Sequence, residues 1–447
     1  MLNYLYEIQI SLAYYTNLQT QINQVTMNKN SISYTVKNHL CTGCGICEGA
    51  CPNSAIKIET KNGLFVPSVA KELCKNEQGC HRCITVCPGV GIDICKIGKN
   101  LFEKKDSIYD SRIGYFNSTF TGYSQNKEIR FHSASGGLIT QMLIWLLEKQ
   151  YIDGAVVTKF NPHNEFLIES FIATTKQELI AAQSSKYAPV TLNHAIQDIK
   201  AKNGKFIIVG LPCHIHGFRK YEKIDSTFKN RIFGYFGLYC SGSRSFNMTE
   251  YILKERNIDR NGLSYLAYRD EGNLGGLVVN GINPKTGTAY HYYQDYQKYA
   301  HPLRSFFVPR RCLFCIDHFA ELADVSLGDI HIAPYWNDKI GINSFIIRDS
   351  KWLNLFQEAT IDGIIEMQSV VPQTLLASQV AVKQKKQRVA TFMKIHRFLL
   401  KKVPDYDANL IDSNILHSYL SWINNMGQSF IGKKKSLWFL IDILKRK

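Results

Sequence analysis

The sequence predicts an α+β protein in three parts: a small cysteine-rich N-terminal module, an α/β domain with a mixed sheet, and a helical, basic C-terminal region. Cysteines crowd before residue 100, and apolar strand-like runs then alternate with helical segments, which favours a parallel or mixed sheet. From Val371 onward there are fourteen Lys and Arg against four Asp. We therefore expect a poorly ordered extension at 1–30, the module at 31–100, the domain at 101–370 and the C-terminal region at 371–447.

The first motif is a run of four cysteines in Cys41-Thr-Gly-Cys44-Gly-Ile-Cys47-Glu-Gly-Ala-Cys51-Pro52. Three cysteines at every third position, and a fourth followed by proline, match the ligand run of bacterial two-cluster ferredoxins. One loop can present the first three thiolates to one [4Fe-4S] cluster, while the fourth serves another. Zinc is the alternative, but zinc sites usually use paired CxxC knuckles well separated in sequence. The run therefore predicts a ferredoxin-like module with two [4Fe-4S] clusters.

A second run, Cys80-His-Arg-Cys83-Ile-Thr-Val-Cys87-Pro88, repeats the first when both are aligned on their final Cys-Pro. The repeat breaks at Glu77, where another cysteine is expected. Cys74 can replace it if the loop bulges by one turn, and Cys95 is the other candidate, although a lone cysteine is commonly a small buried apolar residue. Following the crossed ligation of such proteins, the two expected ligand sets are Cys41, Cys44, Cys47 and Cys87, and Cys51, Cys80, Cys83 and Cys74.

The segment Ser133-Ala-Ser-Gly-Gly137 leads directly into an apolar helical run at 138–148. Ser133 and Ser135 are natural N-caps. Gly136 and Gly137 would let a ligand approach the free backbone amides at the positive end of the helix dipole. A phosphate or pyrophosphate suits that place, although a plain cap and turn explains the same residues.

Four more cysteines stand beyond residue 200, each at an expected strand end or loop: Cys213, Cys240, Cys312 and Cys315. Each taken singly is more often a core cysteine than a ligand. Together they equal the requirement of one further [4Fe-4S] cluster. Both readings stay open from the residues alone. His214, beside Cys213, is a candidate ligand or proton donor, or simply a hydrogen-bonded structural residue.

The net charge of +16 favours an acidic partner, which could be an electron carrier, an anionic membrane face or a nucleic acid. Aromatic residues are not interleaved with the basic ones in a recognisable RNA-binding pattern, so nucleic acid is not expected. The basic-flanked apolar helix expected at 432–447 could pack on its own domain or anchor the protein to a membrane or a partner. Cysteines in metal-ligand spacing need a reducing compartment, and we expect a cytoplasmic protein without signal peptide or spanning helix.

From about Cys41 to about Ile365 the chain resembles the family of β-subunits of coenzyme F420-reducing hydrogenases and dehydrogenases. The resemblance rests on the order of several motifs: the ferredoxin module, Ser133-Ala-Ser-Gly-Gly137, Ser185-Lys-Tyr187, Gly210-Leu-Pro-Cys213, Arg311-Cys-Leu-Phe-Cys315 and Ser326-Leu-Gly-Asp329. It implies an α/β flavin-binding domain that holds FAD and is connected to the surface by [4Fe-4S] clusters. It also implies an inner cluster at the four later cysteines. The cofactor-binding candidates it favours are Ser133, Ser135, Gly136, Gly137, Lys186 and Asp329.

These features together lead to one hypothesis of function. An acidic carrier such as ferredoxin would exchange electrons with the clusters, and the clusters with FAD, which exchanges them with a small-molecule substrate or an F420-like cofactor. Flavin is needed because clusters pass single electrons while organic reductions usually take two. Lys186 and His214 are the catalytic candidates, for orienting or protonating substrate. The direction of flow stays open, and the alternative is an electron-transfer subunit that has no substrate of its own.

Overall fold

The computed structural model describes residues 30–164, 167–412 and 414–445, so nearly all of the expected N-terminal extension lies outside the described residues. The strands of the described residues are β1 Ile56–Lys61, β2 Leu64–Val69, β3 Gly91–Ile92, β4 Ile108–Asp110, β5 Gly114–Phe116, β6 Ser118–Ser124, β7 Gly154–Phe160, β8 Ile168–Ala173, β9 Phe206–Gly210, β10 Ile232–Leu238, β11 Leu263–Asp270, β12 Gly276–Ile282, β13 Ala289–Asp295, β14 Val325–Asp329, β15 Asn343–Ile347, β16 Ile365–Ser369 and β17 Asp405–Tyr406.

The helices of the same residues are α1 Ser33–Lys37, α2 Ile46–Gly49, α3 Arg82–Thr85, α4 Ile94–Phe102, α5 Lys127–Phe131, α6 Leu138–Glu148, α7 Lys176–Ala181, α8 Ala195–Ala201, α9 Pro212–Tyr221, α10 Ser226–Arg231, α11 Phe246–Glu255, α12 Tyr296–Leu303, α13 Ser350–Ile361, α14 Pro372–Ser378, α15 Ala381–Lys383, α16 Val389–Phe398, α17 Ile415–Lys433 and α18 Trp438–Leu444. Short 3-10 turns occur at Asn76–Gln78, Arg260–Gly262, Arg310–Phe314, Tyr335–Asn337 and Lys435–Leu437, and a π turn at Gln384–Arg388.

An eight-stranded mixed sheet forms the centre of the larger domain, in the order β16-β6-β15-β14-β10-β9-β7-β8. Strands β7, β9, β10 and β14 run parallel to one another, and β8 and β15 are antiparallel to their neighbours. The predicted mixed sheet is thus confirmed. Because parallel strands end at one edge, the chain leaving β9, β10 and β14 comes together there. That edge carries Cys213, Cys240 and Asp329.

Both faces of this sheet are covered, as the unbroken apolar sequence of β9 requires. Successive side chains point to opposite faces, so Ile207 joins a core beneath α6 and α13 while Ile208 joins another beneath α8, α9 and α10. The second core also contains Cys44 and Ile46, which belong to the ferredoxin-like module. The module is therefore packed directly on the helices of the sheet.

A three-stranded antiparallel sheet, β11-β12-β13, forms a smaller layer that the sequence analysis did not foresee. It shares a third core with α11, α12 and the C-terminal α18. In that core Trp438 and Ile441 of α18 are 4% and 0% exposed. Of the two alternatives for the C-terminal helix, the structure shows packing on the helix's own domain.

The C-terminal region is mainly helical and lies against both other parts of the chain. Strand β17 pairs in parallel with β3 of the ferredoxin-like module, at Asp405 with Gly91 and Tyr406 with Ile92. The hydroxyl of Tyr406 donates to the carbonyl oxygen of Phe314, 2.9 Å away. In the part of the chain that the structure describes, no helix is both long enough and apolar enough to cross a bilayer.

Candidate functional site

The first predicted ligand set is brought together around the loop before α2. Gly43 and Gly45 have φ values of 74° and 81°, which lets the loop curl so that its thiols face inward. Burial raises the pKa of Cys47, and neighbouring thiols of the same set raise it further. The mutually interacting thiols are those of Cys41, Cys44, Cys47 and Cys87.

Three thiols of the second set are close together, because the thiol of Cys83 interacts with those of Cys51 and Cys74. The 3-10 turn Asn76–Gln78 takes up the extra residues before Cys80, whose amide donates to the carbonyl of Lys75 at 3.1 Å. This is the bulge that a ligand role for Cys74 requires. Cys95 lies on α4 with Asp407, Glu321 and Tyr109 as its interacting neighbours, away from the thiol sets.

The third set joins residues that are a hundred positions apart in sequence. Cys213 lies in the first turn of α9, Cys240 directly follows β10, and the 3-10 turn Arg310–Phe314 presents Cys312 and, at its end, Cys315. Burial raises the pKa of Cys213, and all three other thiols raise it further. Four thiols that were only a numerical match in the sequence thus share one place.

The three sets lie in a row. The thiol of Cys83, from the second set, interacts with Cys47 of the first, and Cys44 of the first interacts with Cys213 of the third. Cys240, at the far end, lies in the wall of the cavity described below. The order is therefore second set, first set, third set and cavity.

The state and spacing of the thiols decide whether they fit iron–sulfur clusters. All thirteen cysteines are free of disulfides. Among the described residues, no three His, Cys, Asp or Glu side chains surround a single metal-ion position. A [4Fe-4S] cluster makes a different demand, because each thiolate binds its own iron at a corner of a cube. Grouped but separate thiols, largely shielded from solvent, fit that demand.

Two cations connect the first and third sets through backbone carbonyls. Arg311, next to Cys312, donates from Nε to Gly89 and from Nη2 to Pro88, both at 3.0 Å. Lys220 of α9 donates to the carbonyl of Cys87 at 2.8 Å. These charge-assisted hydrogen bonds hold the two sets in a fixed relation.

A cavity of about 350 Å³ opens at the carboxyl edge of the central sheet. It is lined by the start of α6, by the ends of β9, β10 and β14, and by the segment after α7. All but one of the predicted flavin-pocket and catalytic residues line it: Ser133, Ser135, Gly137, Lys186, His214 and Asp329. Such an edge is where open α/β sheets bind their ligands.

The prediction that Ser133 and Ser135 cap the N-terminus of α6 is wrong. Ser133 Oγ donates to the carbonyl of Ile129 at 2.7 Å, and Ser135 Oγ donates to that of Ile342 at 2.8 Å. The residue before the helix is Gly137, with φ of 75°. The serine hydroxyls therefore hold the turn before α6 to neighbouring backbone carbonyls and do not accept hydrogen bonds from the amides of the helix.

Gly136 was expected to let a ligand approach the start of α6, but it packs closely against the backbone of Asn343. A Cβ at this position would stand 2.7 Å from the backbone nitrogen of Asn343, and Gly136 is absent from the cavity lining. Asn343 Oδ1 accepts from the amide of Leu138 at 3.2 Å. Within the described residues, the amides of Ile139 and Thr140 have no acceptor, and both residues line the cavity. These two amides are the ones left for an anionic ligand.

His214 is held by both of its ring nitrogens, which argues against its predicted catalytic role. Nε2 lies 3.1 Å from the carbonyl oxygen of Val190, which can only accept, and Nδ1 accepts from the amide of Leu211 at 3.2 Å. Burial lowers the pKa of His214 to about 4. The ring is therefore neutral and fixes the turn between β9 and α9 in the cavity wall.

Lys186 is half-buried, and its ammonium donates to the carbonyls that follow α7. The acceptors are Ala182 at 2.7 Å, Gln183 at 2.6 Å and Ser184 at 3.1 Å. Burial lowers the pKa of Lys186 to about 7, and Asp270 opposes this shift. A lysine that titrates near neutrality can exchange a proton with a bound molecule.

Asp329 is paired within the cavity wall with an arginine that the sequence analysis missed. Arg269 Nη1 donates to the carboxylate of Asp329 at 2.6 Å. Burial alone would raise the pKa of Asp329, but the positive charge of Arg269 outweighs this effect and holds the pKa well below its usual range. Arg244, after Cys240, also lines the cavity and donates to the carbonyl of Gly242 at 2.7 Å. Arg269 follows no motif, whereas Cys240-Ser-Gly-Ser-Arg244 could have been noticed as a strand end carrying a glycine and a cation.

Three family models match the chain. Residues 40–91 match a 4Fe-4S dicluster domain. Residues 119–197 match the N-terminal part, and residues 203–373 the C-terminal part, of the coenzyme F420 hydrogenase/dehydrogenase beta subunit. The last two together cover more than half of the chain.

Curated relatives agree with these matches. The coenzyme F420-dependent sulfite reductase of Methanocaldococcus jannaschii is 24% identical over 71% of this chain, which spans only 45% of that protein's length. The coenzyme F420 hydrogenase subunit beta of Methanothermobacter thermautotrophicus is 25% identical over 58% of this chain and 86% of its own. The protein of the same name from Methanococcus voltae is 24% identical over 58% of this chain and 86% of its own.

The fold also occurs in a solved structure. A chain of the F420-reducing [NiFe] hydrogenase complex from Methanosarcina barkeri superposes with a TM-score of 0.51 and 18% identity, over 67% of this chain and 98% of that one.

Proposed function

The chain belongs to the family of coenzyme F420 hydrogenase/dehydrogenase beta subunits, and on this premise we propose that it is an iron–sulfur flavoprotein oxidoreductase. It would pass electrons between a ferredoxin-like carrier and a substrate through [4Fe-4S] clusters and FAD. The observation that carries the proposal is the row of three thiol sets that ends at Cys240 in the cavity wall. A row of redox centres leading into a ligand cavity is the arrangement that an electron path needs.

The first and second sets lie in the residues that match the 4Fe-4S dicluster domain. The third set would hold an inner cluster. Cys213, Cys240, Cys312 and Cys315 supply four thiols from three separate segments. Buried core cysteines have no reason to converge in this way, whereas a cluster requires it. The inner cluster would stand between the ferredoxin-like module and the cavity.

FAD would occupy the cavity, with its phosphates at the start of α6. The free amides of Ile139 and Thr140 lie at the positive end of the helix dipole, and Arg244 adds a cation. When bound, FAD accepts electrons singly and delivers them in pairs as a hydride. Lys186, with a pKa near 7, would exchange a proton with the substrate, while His214 positions the turn beside it.

The acidic carrier would dock on a basic surface beside the first thiol set. Burial, together with the charges of Arg310, Lys433 and Lys401, lowers the pKa of His39, which precedes Cys41 by two residues. In the described parts of the chain, none of these three cations forms an ion pair. Unpaired positive charge next to a redox centre would attract and orient an acidic protein.

A second candidate function is an electron-transfer subunit without a substrate of its own. The feature that favours it is α17, which has no charged residue before Lys433 and turns its apolar side chains outward. Leu416, Leu420 and Phe430 are 71%, 56% and 52% exposed, while Ser418 and Ser429 are buried. A helix that exposes its apolar stripe is suited to being covered by another subunit.

The two functions are separated by reducing the full protein without oxygen. Reduced ferredoxin should bleach the bound flavin. Cys47→Ser should slow this bleaching because it interrupts the first set, which lies between the docking surface and the third set, whereas Cys95→Ser should not. Equal rates in both variants, or protein that binds no FAD, would overturn the proposed path. Turnover with small molecules only after a second subunit is added would favour the electron-transfer subunit.

A further inference from the structure

A buried lysine of the C-terminal region lies against the third thiol set. Lys385 belongs to the π turn Gln384–Arg388, and its side chain is only 3% exposed. Its ammonium lies close to the thiols of Cys315, Cys240 and Cys312. π turns are rare overall, but those that occur are often found at functional sites. They direct a side chain to a position that a regular helix would not give it.

No carboxylate neutralises Lys385 within the described residues. Its neighbour Lys386 pairs with Glu321, and Lys383 is exposed. The other groups near Lys385 are the neutral ring of His318 and the hydroxyl of Tyr406. A buried cation without a counter-charge is costly. The negative charge that this place can supply is that of the thiolates themselves, which metal binding would keep deprotonated.

We propose that Lys385 is a positioning residue that raises the reduction potential of the cluster held by Cys213, Cys240, Cys312 and Cys315. The inference rests on the proposed function, because it takes this set to hold a [4Fe-4S] cluster. Reduction adds one negative charge to the cluster, and a fixed ammonium at its edge stabilises that charge. Net charge and hydrogen bonds to the sulfurs are established determinants of cluster potential. Lys385 would thereby make the inner cluster the favoured electron acceptor beside the cavity.

The test is a redox titration of the full chain, purified and loaded without oxygen, with each cluster followed by its electron paramagnetic resonance signal. Lys385→Met should shift the midpoint of one cluster to a more negative potential and leave the other two unchanged. Lys385→Arg keeps the charge and should retain most of the wild-type potential. Lys383→Met removes an exposed lysine two residues away and should shift none, since its charge is screened by water.

Two results would overturn the inference. One is Lys385→Met with full iron content and all three midpoints unchanged. The other is an equal loss of iron in Lys385→Met and Lys385→Arg, which would show that the shape of lysine matters and its charge does not. Loss of iron in the Met variant alone, with wild-type potentials in the Arg variant, would support it. Failure of the proposed function is recognised separately, by wild-type protein that lacks the third cluster.

Discussion

Gly217 of α9 lies directly against Ile46 of α2, so close that a Cβ at Gly217 would stand 2.8 Å from Cγ1 of Ile46. Ile46 stands between Cys44 and Cys47 in sequence, and Gly217 is one helical turn after Cys213. The approach of these two helices therefore brings the first and third thiol sets side by side. The absence of a side chain at Gly217 permits this contact, on which the proposed electron path between the module and the sheet domain depends.

Gly217→Val should separate the two helices and destabilise the protein. Overpacking a buried contact typically costs about 1–3 kcal/mol, and chemical denaturation of the cluster-loaded protein measures it. Electron transfer from the outer clusters to the cavity should also slow. Gly427→Val is the matched control, because nothing lies within 4 Å of a Cβ at that helical position. Equal loss of stability in both variants would contradict the close contact.

Cys74→Ser should remove or alter one cluster of the dicluster domain, since the 3-10 turn at Asn76–Gln78 leaves Cys74 grouped with Cys51 and Cys83. Cys95→Ser should leave the iron content unchanged. Iron and sulfide determination on protein prepared without oxygen distinguishes the two. The reverse outcome, with iron lost only from the Cys95 variant, would make Cys95 the fourth ligand.

Lys186 should react with amine reagents at a pH well below that of an ordinary lysine. Burial lowers its pKa to about 7, so the unprotonated, reactive amine is well populated at neutral pH. The folded state then holds fewer protons than the unfolded state between about pH 7 and the ordinary value of 10.5. Stability should therefore rise with pH across this window.

The measurement is competitive acetylation read by mass spectrometry, with an exposed lysine such as Lys383 as internal reference. A midpoint for Lys186 equal to that of the reference would contradict the shift. Lys186→Met should also flatten the rise of stability with pH, which denaturation at several pH values can follow.

Trp438→Ala should destabilise the protein by about 3–5 kcal/mol, the usual cost of removing a large buried aromatic side chain. Trp438 is 4% exposed and meets Tyr251 and Phe307 edge-on. Phe439→Ala is the control, because Phe439 is 58% exposed and its loss should change stability by less than about 0.5 kcal/mol. A silent Trp438→Ala would mean that α18 is detached from the domain in solution.

Local spacing carried much of the fold and the metal sites. Cysteines three residues apart predict a shared ligand loop, because so short a segment keeps their thiols close together. Unbroken apolar strands such as β9 predict a sheet that is covered on both faces. The edge where Cys213 and Cys240 emerge followed from the polarity of parallel strands. Each of these inferences uses only the residues of one loop or one strand, so it can be made from the sequence.

Contacts between distant segments could not be predicted in this way. The pairing of Arg269 with Asp329 and the placing of Lys385 against Cys315 join residues sixty and seventy positions apart, and neither carries a sequence signature. The serines before α6 misled because their residue type suits a cap, whereas tertiary contacts with Ile129 and Ile342 took their hydroxyls. Helix and strand preferences depend on neighbouring residues in the sequence, whereas these contacts depend on how distant segments pack together.

In the proposed path, three thiol sets hold three [4Fe-4S] clusters that lead to one flavin. Its most direct test is the iron, sulfide and FAD content of the full chain purified without oxygen. The account predicts about twelve irons and one FAD per chain. About eight irons would remove the inner cluster from the path, and material that binds zinc in place of iron, or no flavin, would contradict the proposed redox function.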